Sequence, residues 1–456
     1  MIRPWWILLA MLALLGVGWT TAFASPVLNG QVVERPVVSA DWGGRLQSGF
    51  GAVLILALAV LLSERRQAIS RRVVVLGLAM QLGLAVVLIQ VPLGRRVLAA
   101  LSSMVVAVLD CALAGSSFVF GPELTRPDGP AGFVFAFRVL PTVIFVAALF
   151  AVLYQLGIMQ RVVRAFAWVM ARLLGTSGAE SLNVAASIFL GQTEAPLTIR
   201  PYLLGLTRSE LLTVMVSGMA LVSGGVLGAY IGAGAEPRDL LTAILMNAPG
   251  AILMAKILVP ETGTPETLGL VRGDAMERDT NVLDAAARGT REGLHLALNI
   301  AAILITFIGL ITLLDLILGA GGAWIEGLVG RDLGLSGWSL AKLLGTLLAP
   351  VAWLLGVGWT DAPAVGGLLG TRLVLNELVA YGHLGELASH LEGRSYTIAT
   401  FALCGFANIS SVGIQLGGIG ALVPERRGDL ARLGVRALLA ATLANFLSAC
   451  LAGIVL

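Results

Sequence analysis

The sequence predicts an all-α polytopic membrane protein: about eight transmembrane helices plus two re-entrant helical hairpins, arranged as an inverted-topology repeat. Composition is the first reason. Of 456 residues, 57% are hydrophobic and 12% charged, with a mean hydropathy of +0.91; soluble domains carry about 25% charged residues. Segment length is the second, because many apolar runs reach the ~20 residues that cross a bilayer. Interruption is the third. Two apolar regions are broken by carboxylate-bearing clusters, Gly191-Gln192-Thr193-Glu194-Ala195-Pro196 and Leu375-Asn376-Glu377-Leu378. An ionised carboxylate at mid-bilayer costs on the order of 3 kcal/mol. Gly and Pro stop a helix on either side of the first cluster. Non-helical backbone at membrane depth survives only inside protein or against a watery cavity, so each cluster reads as part of a re-entrant hairpin.

The net charge of +3 is small, and the basic residues sit mostly in short loops. They report orientation and give no sign of nucleic-acid binding. Cys111, Cys404 and Cys450 lie far apart in apolar contexts, and His295, His383 and His390 form no cluster. No metal site or cofactor is expected from that pattern.

Residues 1–24 combine Arg3, an apolar stretch and Ala22-Phe23-Ala24. They read as a secretory signal peptide, or else as an extra N-terminal membrane helix. Residues 25–45 would then be a periplasmic segment. Residues 46–158 are expected to be scaffold helices: spans at 46–62, 73–91 and 133–158, and a less uniformly apolar helix at 93–120 along the outer surface. Arg65, Arg66, Arg71 and Arg72 place the first loop in the cytoplasm. The first repeat, 159–259, starts with an amphipathic helix carrying Arg161, Arg164 and Arg172. It continues with a hairpin at 178–206 and spans at 211–231 and 240–259. Residues 260–334 read as a cytoplasmic loop with a surface helix, followed by a scaffold span at 297–318. The second repeat, 335–456, holds an amphipathic piece, a hairpin at 358–383, a span at 396–422 interrupted near Gly405–Ser411, and a last span at 437–456. Arg426, Arg427, Arg432 and Arg436 place the loop before that last span on the same side as the first arginine loop.

The repeat rests on matching landmarks. Leu173-Leu174-Gly175 precedes one hairpin and Leu354-Leu355-Gly356 the other, with an acid five residues on in each, Glu180 and Asp361. Glu194 and Glu377 follow at similar distances. Gly218-Met219-Ala220-Leu221-Val222-Ser223 then answers Gly405-Phe406-Ala407-Asn408-Ile409-Ser410. The loop charges put the two hairpins on opposite sides. Inverted repeats with broken helices are the architecture of secondary transporters, whose substrate and ion sites lie at the midplane.

The polar residues fall into two groups. Gln192, Thr193 and Glu194 offer amide, hydroxyl and carboxylate groups, and an amide can both donate to and accept from a nucleobase edge or any other amide-bearing ligand. Glu377, Asn376, Asn408 and Ser411 suit the hydroxyls of a sugar. The plainer readings are an acid paired with Arg200 or Arg372, and packing hydrogen bonds for Asn408 and Ser411. Met215 and Met219 are read as packing.

At these residues the chain resembles the concentrative nucleoside transporters. The resemblance rests on Gly191-Gln192-Thr193-Glu194-Ala195-Pro196-Leu197 with Ile199-Arg200-Pro201-Tyr202. It rests equally on Asn376-Glu377-Leu378-Val379-Ala380-Tyr381 and on Ala402 to Ser411. It implies a multi-pass protein of the bacterial inner membrane that imports nucleosides, pyrimidine and/or purine, by cation symport. It also implies a homotrimer whose protomers work as elevators. Gln192, Thr193, Glu194 and Val226 would meet the base; Glu377, Asn408 and Ser411 would meet the ribose. Two departures concern the coupling ion, H⁺ or Na⁺. Ser187 stands where sodium-coupled members have Asn, and Leu221 where they have Ser or Thr. A hard cation wants oxygen ligands, and the backbone carbonyls of Leu190 and Val222 remain. The reading therefore favours proton coupling, with Glu194 or Glu377 as proton carrier. An intramembrane hydrolase using two acids and a channel are the alternatives.

Overall fold

Between its ends, a helix satisfies its backbone N–H and C=O groups within itself, which a lipid environment demands. The computed structural model describes residues 42–125, 134–269, 279–331 and 337–456 and is built of helices. An isolated antiparallel bridge, Ser177 to Leu268, is the β pairing found among the described residues. The expected leader at 1–24, most of the segment at 25–45 and most of the Pro/Gly loop after Thr125 lie outside them. Among the described residues, 8 helices are long and apolar enough to cross a membrane.

Helix α1, Trp42–Leu61, begins before residue 45, where the predicted periplasmic segment ends. Its first turn is held by the Arg45 guanidinium, 5.5 Å from the Trp42 ring and donating to Leu456 O at 3.1 Å. Next come α2, Arg71–Ala85, which ends in a π turn over Val86–Gln90, and α3, Pro92–Phe120. Helix α3, expected along the outer surface, has the length and hydropathy of a span. After α4, Leu140–Gln155, Gly157 takes positive φ and starts α5, Ile158–Leu174. Met159, Val163, Ala167, Met170 and Leu174 bury one stripe of α5, while Arg161, Arg164 and Arg172 stay exposed. This is the amphipathic helix the sequence predicts.

The first hairpin is α6, Gly178–Ser187, then a broken tip and the 3₁₀ segment Ala195–Tyr202. Helices α7, Arg208–Ala220, and α8, Gly224–Gly232, form one span broken between them. Helix α9, Pro237–Leu258, follows. Helix α10, Val282–Val329, runs 48 residues, about 72 Å at 1.5 Å per residue. It replaces the separate surface helix and shorter span expected within 260–334. Helix α11, Leu340–Leu355, leads to the second hairpin, α12, Ala362–Val374, and α13, Glu377–Glu386. The last broken span is α14, Gly393–Leu403, and α15, Ile409–Leu422; α16, Arg427–Val455, ends the described chain.

The two repeats end their lead-in helices in the same way. Gly175 and Gly356, the glycines of the paired Leu-Leu-Gly landmarks, cap α5 and α11 with φ of 72° and 107°, where a Cβ would be strained. The acids beyond them behave differently. Glu180 closes a capping box with Ser177 at the start of α6. Asp361 makes no side-chain cap and instead accepts from Glu392 N at 3.0 Å.

Helices α7 to α9 and α16 form the inside. The apolar windows over α7–α8 and over α9 are 89% buried, whereas that of α10 is 0% buried. Small residues make the inner contacts close, as lipid supplies no hydrophobic drive between helices. Along α16, Ala437, Ala440, Ala441, Ala444, Ala449 and Ala452 are fully buried. Helix α10 packs on α4 through Ala285, Gly289, Gly293 and Ala297, one residue per turn. A Cβ at Gly293 would stand 2.7 Å from Ile144 Cα.

The arginine-rich ends are joined by Glu64, which pairs with Arg208 at 2.8 Å and with Arg436. The hydrogen bond from Arg208 lowers the Glu64 carboxyl below its usual range, and Arg436 adds to this. A carboxyl depressed in the fold stabilises it above the unfolded pKa of about 4.3 and loses that contribution as pH falls through the lowered value.

Two outcomes follow. Gly293→Leu should lower the thermal midpoint of the purified protein, because overpacking a close contact costs about 1–3 kcal/mol. The midpoint difference between wild type and Glu64→Gln should shrink towards zero in acid and in high salt, read by the same melting assay.

Candidate functional site

Broken helices leave carbonyls without intrahelical partners, and here side chains from neighbouring helices supply the donors. Asn445 on α16 donates through Nδ2 to Ala220 O at 2.7 Å and to Cys404 O at 2.8 Å. These carbonyls end α7 and follow α14, so one amide joins the broken span of one repeat to that of the other. Asn247 on α9 also donates to Cys404 O, at 2.7 Å. Asn445 Oδ1 accepts from Arg372, whose other terminal nitrogen donates to Ala402 O.

Beside this knot lies Glu377, 5% exposed at the first turn of α13. Its Oε1 accepts from Tyr230 OH at 2.8 Å and its Oε2 from Asn408 Nδ2 at 3.1 Å. Asn408 is the N-cap of α15; its Oδ1 accepts from Ser411 N at 2.9 Å and from Ser410 Oγ at 2.7 Å. Ser411 Oγ in turn accepts from Gln192 Nε2 at 3.3 Å. A continuous chain, Glu377–Asn408–Ser411–Gln192, therefore joins the two polar groups expected to face sugar and base. Asn376 stands outside it, capping α13 through Val379 N at 3.0 Å. The Arg372 guanidinium makes its hydrogen bonds at Ala402 and Asn445, and Arg200 is exposed, so the plain ion pairs are not what holds the acids.

The first tip is shaped by close packing. A Cβ at Gly218 would lie 3.0 Å from Gln192 Cβ, and one at Gly418 would lie 2.4 Å from Thr193 Cγ2. Glycines at these two positions admit the tip between α7 and α15. Gln192 Oε1 is buried without a hydrogen-bond partner. Glu194 is exposed and accepts from its own turn, from Gly191 N at 3.2 Å. The tip thus presents Gln192 towards Ser411 and turns Glu194 back on itself.

Of the expected coupling positions, Leu190 and Val222 lie on segments joined by Gly224 N donating to Phe189 O at 3.0 Å. Leu221, 1% exposed, caps the end of α7 with extended backbone. Ser187 is at the last turn of α6, where its hydroxyl donates to Asn183 O at 2.9 Å. Val226 is buried on α8, one turn before Tyr230.

Tyr230, Arg372, Asn247 and Asn445 are contributors that the sequence reading leaves out or treats as simple pairing. Tyr230 and Asn445 sit in apolar runs, and their local signal is one polar atom each. A buried Asn in an Ala-rich span is the clue that could have found Asn445.

Comparison with known proteins completes the picture. The family description "Na+ dependent nucleoside transporter N-terminus" matches residues 50–123, "Nucleoside recognition" 136–237 and "Na+ dependent nucleoside transporter C-terminus" 239–453. "Uncharacterized transporter YutK" of Bacillus subtilis is 46% identical, covering 88% of this chain and 97% of its own. "Nucleoside permease NupC" of Helicobacter pylori is 39% identical over 90% of this chain and 97% of its own. "Sodium/nucleoside cotransporter 1" of Mus musculus is 38% identical over 90% of this chain and 64% of its own. The solved structure of CNTnw in an inward-facing substrate-bound state is similar with a TM-score of 0.84 and 39% identity, covering 90% of this chain and 98% of that one. A CNTnw variant in an outward-facing state gives 0.85 and 39%, over 91% and 98%. These relatives are transporters, which removes the hydrolase reading. With its apolar spans and bacterial permease relatives, the protein is a multi-pass protein of the inner membrane. On this similarity across the length of the described fold, the chain belongs to the concentrative nucleoside transporter family.

Proposed function

We propose that this protein imports nucleosides by cation symport, with the substrate held between the two hairpin units. The observation that carries the proposal is the chain Glu377–Asn408–Ser411–Gln192. Glu377 has one donor on each oxygen, and a carboxylate offers about four lone-pair sites. It retains acceptor capacity for two vicinal hydroxyls, which is what a ribose presents. Gln192 Oε1, buried and unpartnered, suits an N–H on a base edge. Thr193, Glu194 and Val226 complete the base side in this reading.

The coupling ion is read as H⁺ in preference to Na⁺. Leu221 offers no side-chain oxygen, and Ser187 brings a short hydroxyl where sodium-coupled members have an Asn. Glu194 and Glu377 are the candidate proton carriers; Leu190 and Val222 offer backbone carbonyls. Movement is assigned to an elevator of the hairpin units against the scaffold, within a homotrimer. A channel differs from this in passing current without exchange, and counterflow of labelled uridine separates the two.

Proteoliposome uptake of uridine and adenosine is the test. Wild type should accumulate nucleoside under an inward pH gradient; uptake that follows a Na⁺ gradient and ignores pH would reverse the choice of ion. Glu377→Gln should abolish accumulation, and Tyr230→Phe should raise KM about tenfold, since a hydrogen bond to a charged group contributes ~1.5–3 kcal/mol. Full uptake by Glu377→Gln would remove that residue from the mechanism.

A further inference from the structure

Glu377 stands on α13 and accepts from Tyr230 on α8 and from Asn408 at the start of α15. Three segments must therefore arrive together for the carboxylate to be held. All three set out from one point. Tyr230 lies ten residues beyond Ala220, Asn408 four beyond Cys404, and Glu377 five beyond Arg372. Ala220 O, Cys404 O and the Arg372 guanidinium are the groups that hydrogen-bond the Asn445 side chain. The carboxylate and each of its two donors thus ride on a segment that Asn445 holds at its root.

The geometry separates this role from contact with substrate. Asn445 is fully buried and Arg372 is 2% exposed. An amide nitrogen carries two hydrogens, and both on Asn445 Nδ2 are committed, to Ala220 O at 2.7 Å and Cys404 O at 2.8 Å. Its Oδ1 faces Arg372. The second break presses directly on this amide: a Cβ at Gly405 would lie 2.6 Å from Asn445 Oδ1 and 2.8 Å from Ala220 O. Only a residue without a side chain admits that approach. Asn247 shares one of the carbonyls, Cys404 O. Hydrogen bonds weaken steeply with misalignment, and a binding constellation works only when its supports hold it to within about 0.5 Å.

We propose that Asn445, with Arg372 as its link to the second hairpin, is a positioning residue for the sugar side of the substrate site. It sets the Glu377 carboxylate against Tyr230 and Asn408, and so decides how well the two vicinal ribose hydroxyls are recognised, without touching the nucleoside. This rests on the reading above of Glu377 as the ribose acceptor. A residue that only joined helices would, when replaced, reduce the amount of working protein and leave its preference among substrates alone.

The experiment compares proteoliposome uptake of uridine with that of dideoxyuridine, which lacks both vicinal hydroxyls. The shift in thermal midpoint that each nucleoside gives the purified protein is the second readout. Wild type should favour uridine. Asn445→Leu should raise the KM for uridine about tenfold and leave that for dideoxyuridine nearly unchanged, so the discrimination shrinks towards one. If Asn445→Leu fails to fold, Arg372→Lys decides, because an ammonium cannot reach Ala402 O and Asn445 Oδ1 together, and the discrimination should shrink there too. Asn247→Leu should lose less, since Cys404 O keeps the Asn445 donor and Ala220 O is untouched. A folded Asn445→Leu or Arg372→Lys that lowers the maximal rate and keeps wild-type discrimination overturns the positioning role, as does an Asn247→Leu that loses as much as Asn445→Leu. A wild type that takes up both nucleosides equally overturns the reading of Glu377 itself.

Discussion

The architecture depends on how an apolar protein tolerates broken helices, and Asn445 is where that problem is solved. A helix that stops inside a membrane protein exposes carbonyls that lipid cannot satisfy. Asn445 satisfies one from each repeat, Ala220 O and Cys404 O, and takes a hydrogen bond from Arg372 on the second hairpin. Three elements that are remote in sequence are thereby held at one point. Glu377 lies five residues beyond Arg372, and Asn408 four beyond Cys404. The placement of the carboxylate and its amide partner follows from the knot.

Around this point the two repeats are alike in outline and unlike in chemistry. The first hairpin starts at a capping box, and Glu180 of that box pairs with Lys256 at 2.9 Å, which also pairs with Glu261 at 3.1 Å. Thr207 and Glu210 form a second box at the start of α7, and Ser177 Oγ donates to Glu210. Buried ion pairs of this kind add little net stability, but removing one partner leaves an uncompensated charge and costs about 3–5 kcal/mol. The second hairpin has a lighter attachment, Asp361 accepting from Glu392 N, and leans instead on close backbone packing. Gly345 and Gly366 sit where any side chain would strike the facing helix. One hairpin is thus located by charge and the other by contact.

Much of the site was legible from residue type. Gln192, Glu377, Asn408 and Ser411 announce themselves as polar groups where lipid would exclude them, and the structure links these four in one chain. The Leu-Leu-Gly landmarks of the repeat correspond to real helix ends with left-handed glycines. Other features were not legible. Glu194, the most conspicuous acid in the chain, turns towards Gly191 N and stays out of the Glu377 chain. Its direction is a property of the tip's backbone, which residue type does not encode. Helix α10 reads as a loop and two shorter pieces because its first turns are polar, yet Asn281 caps it and nothing later stops it.

By itself, the sequence determined the class, the number of spans, the places where helices break and the residue types at the site. These follow from transfer energies and backbone chemistry, which act locally and leave a periodic trace. Tertiary structure alone decided the partners: Tyr230 for Glu377 and Asn445 for the two breaks. Each of these joins residues on different helices. A hydrogen bond between helices depends on how they pack, and packing in lipid is set by the fit of many small residues together.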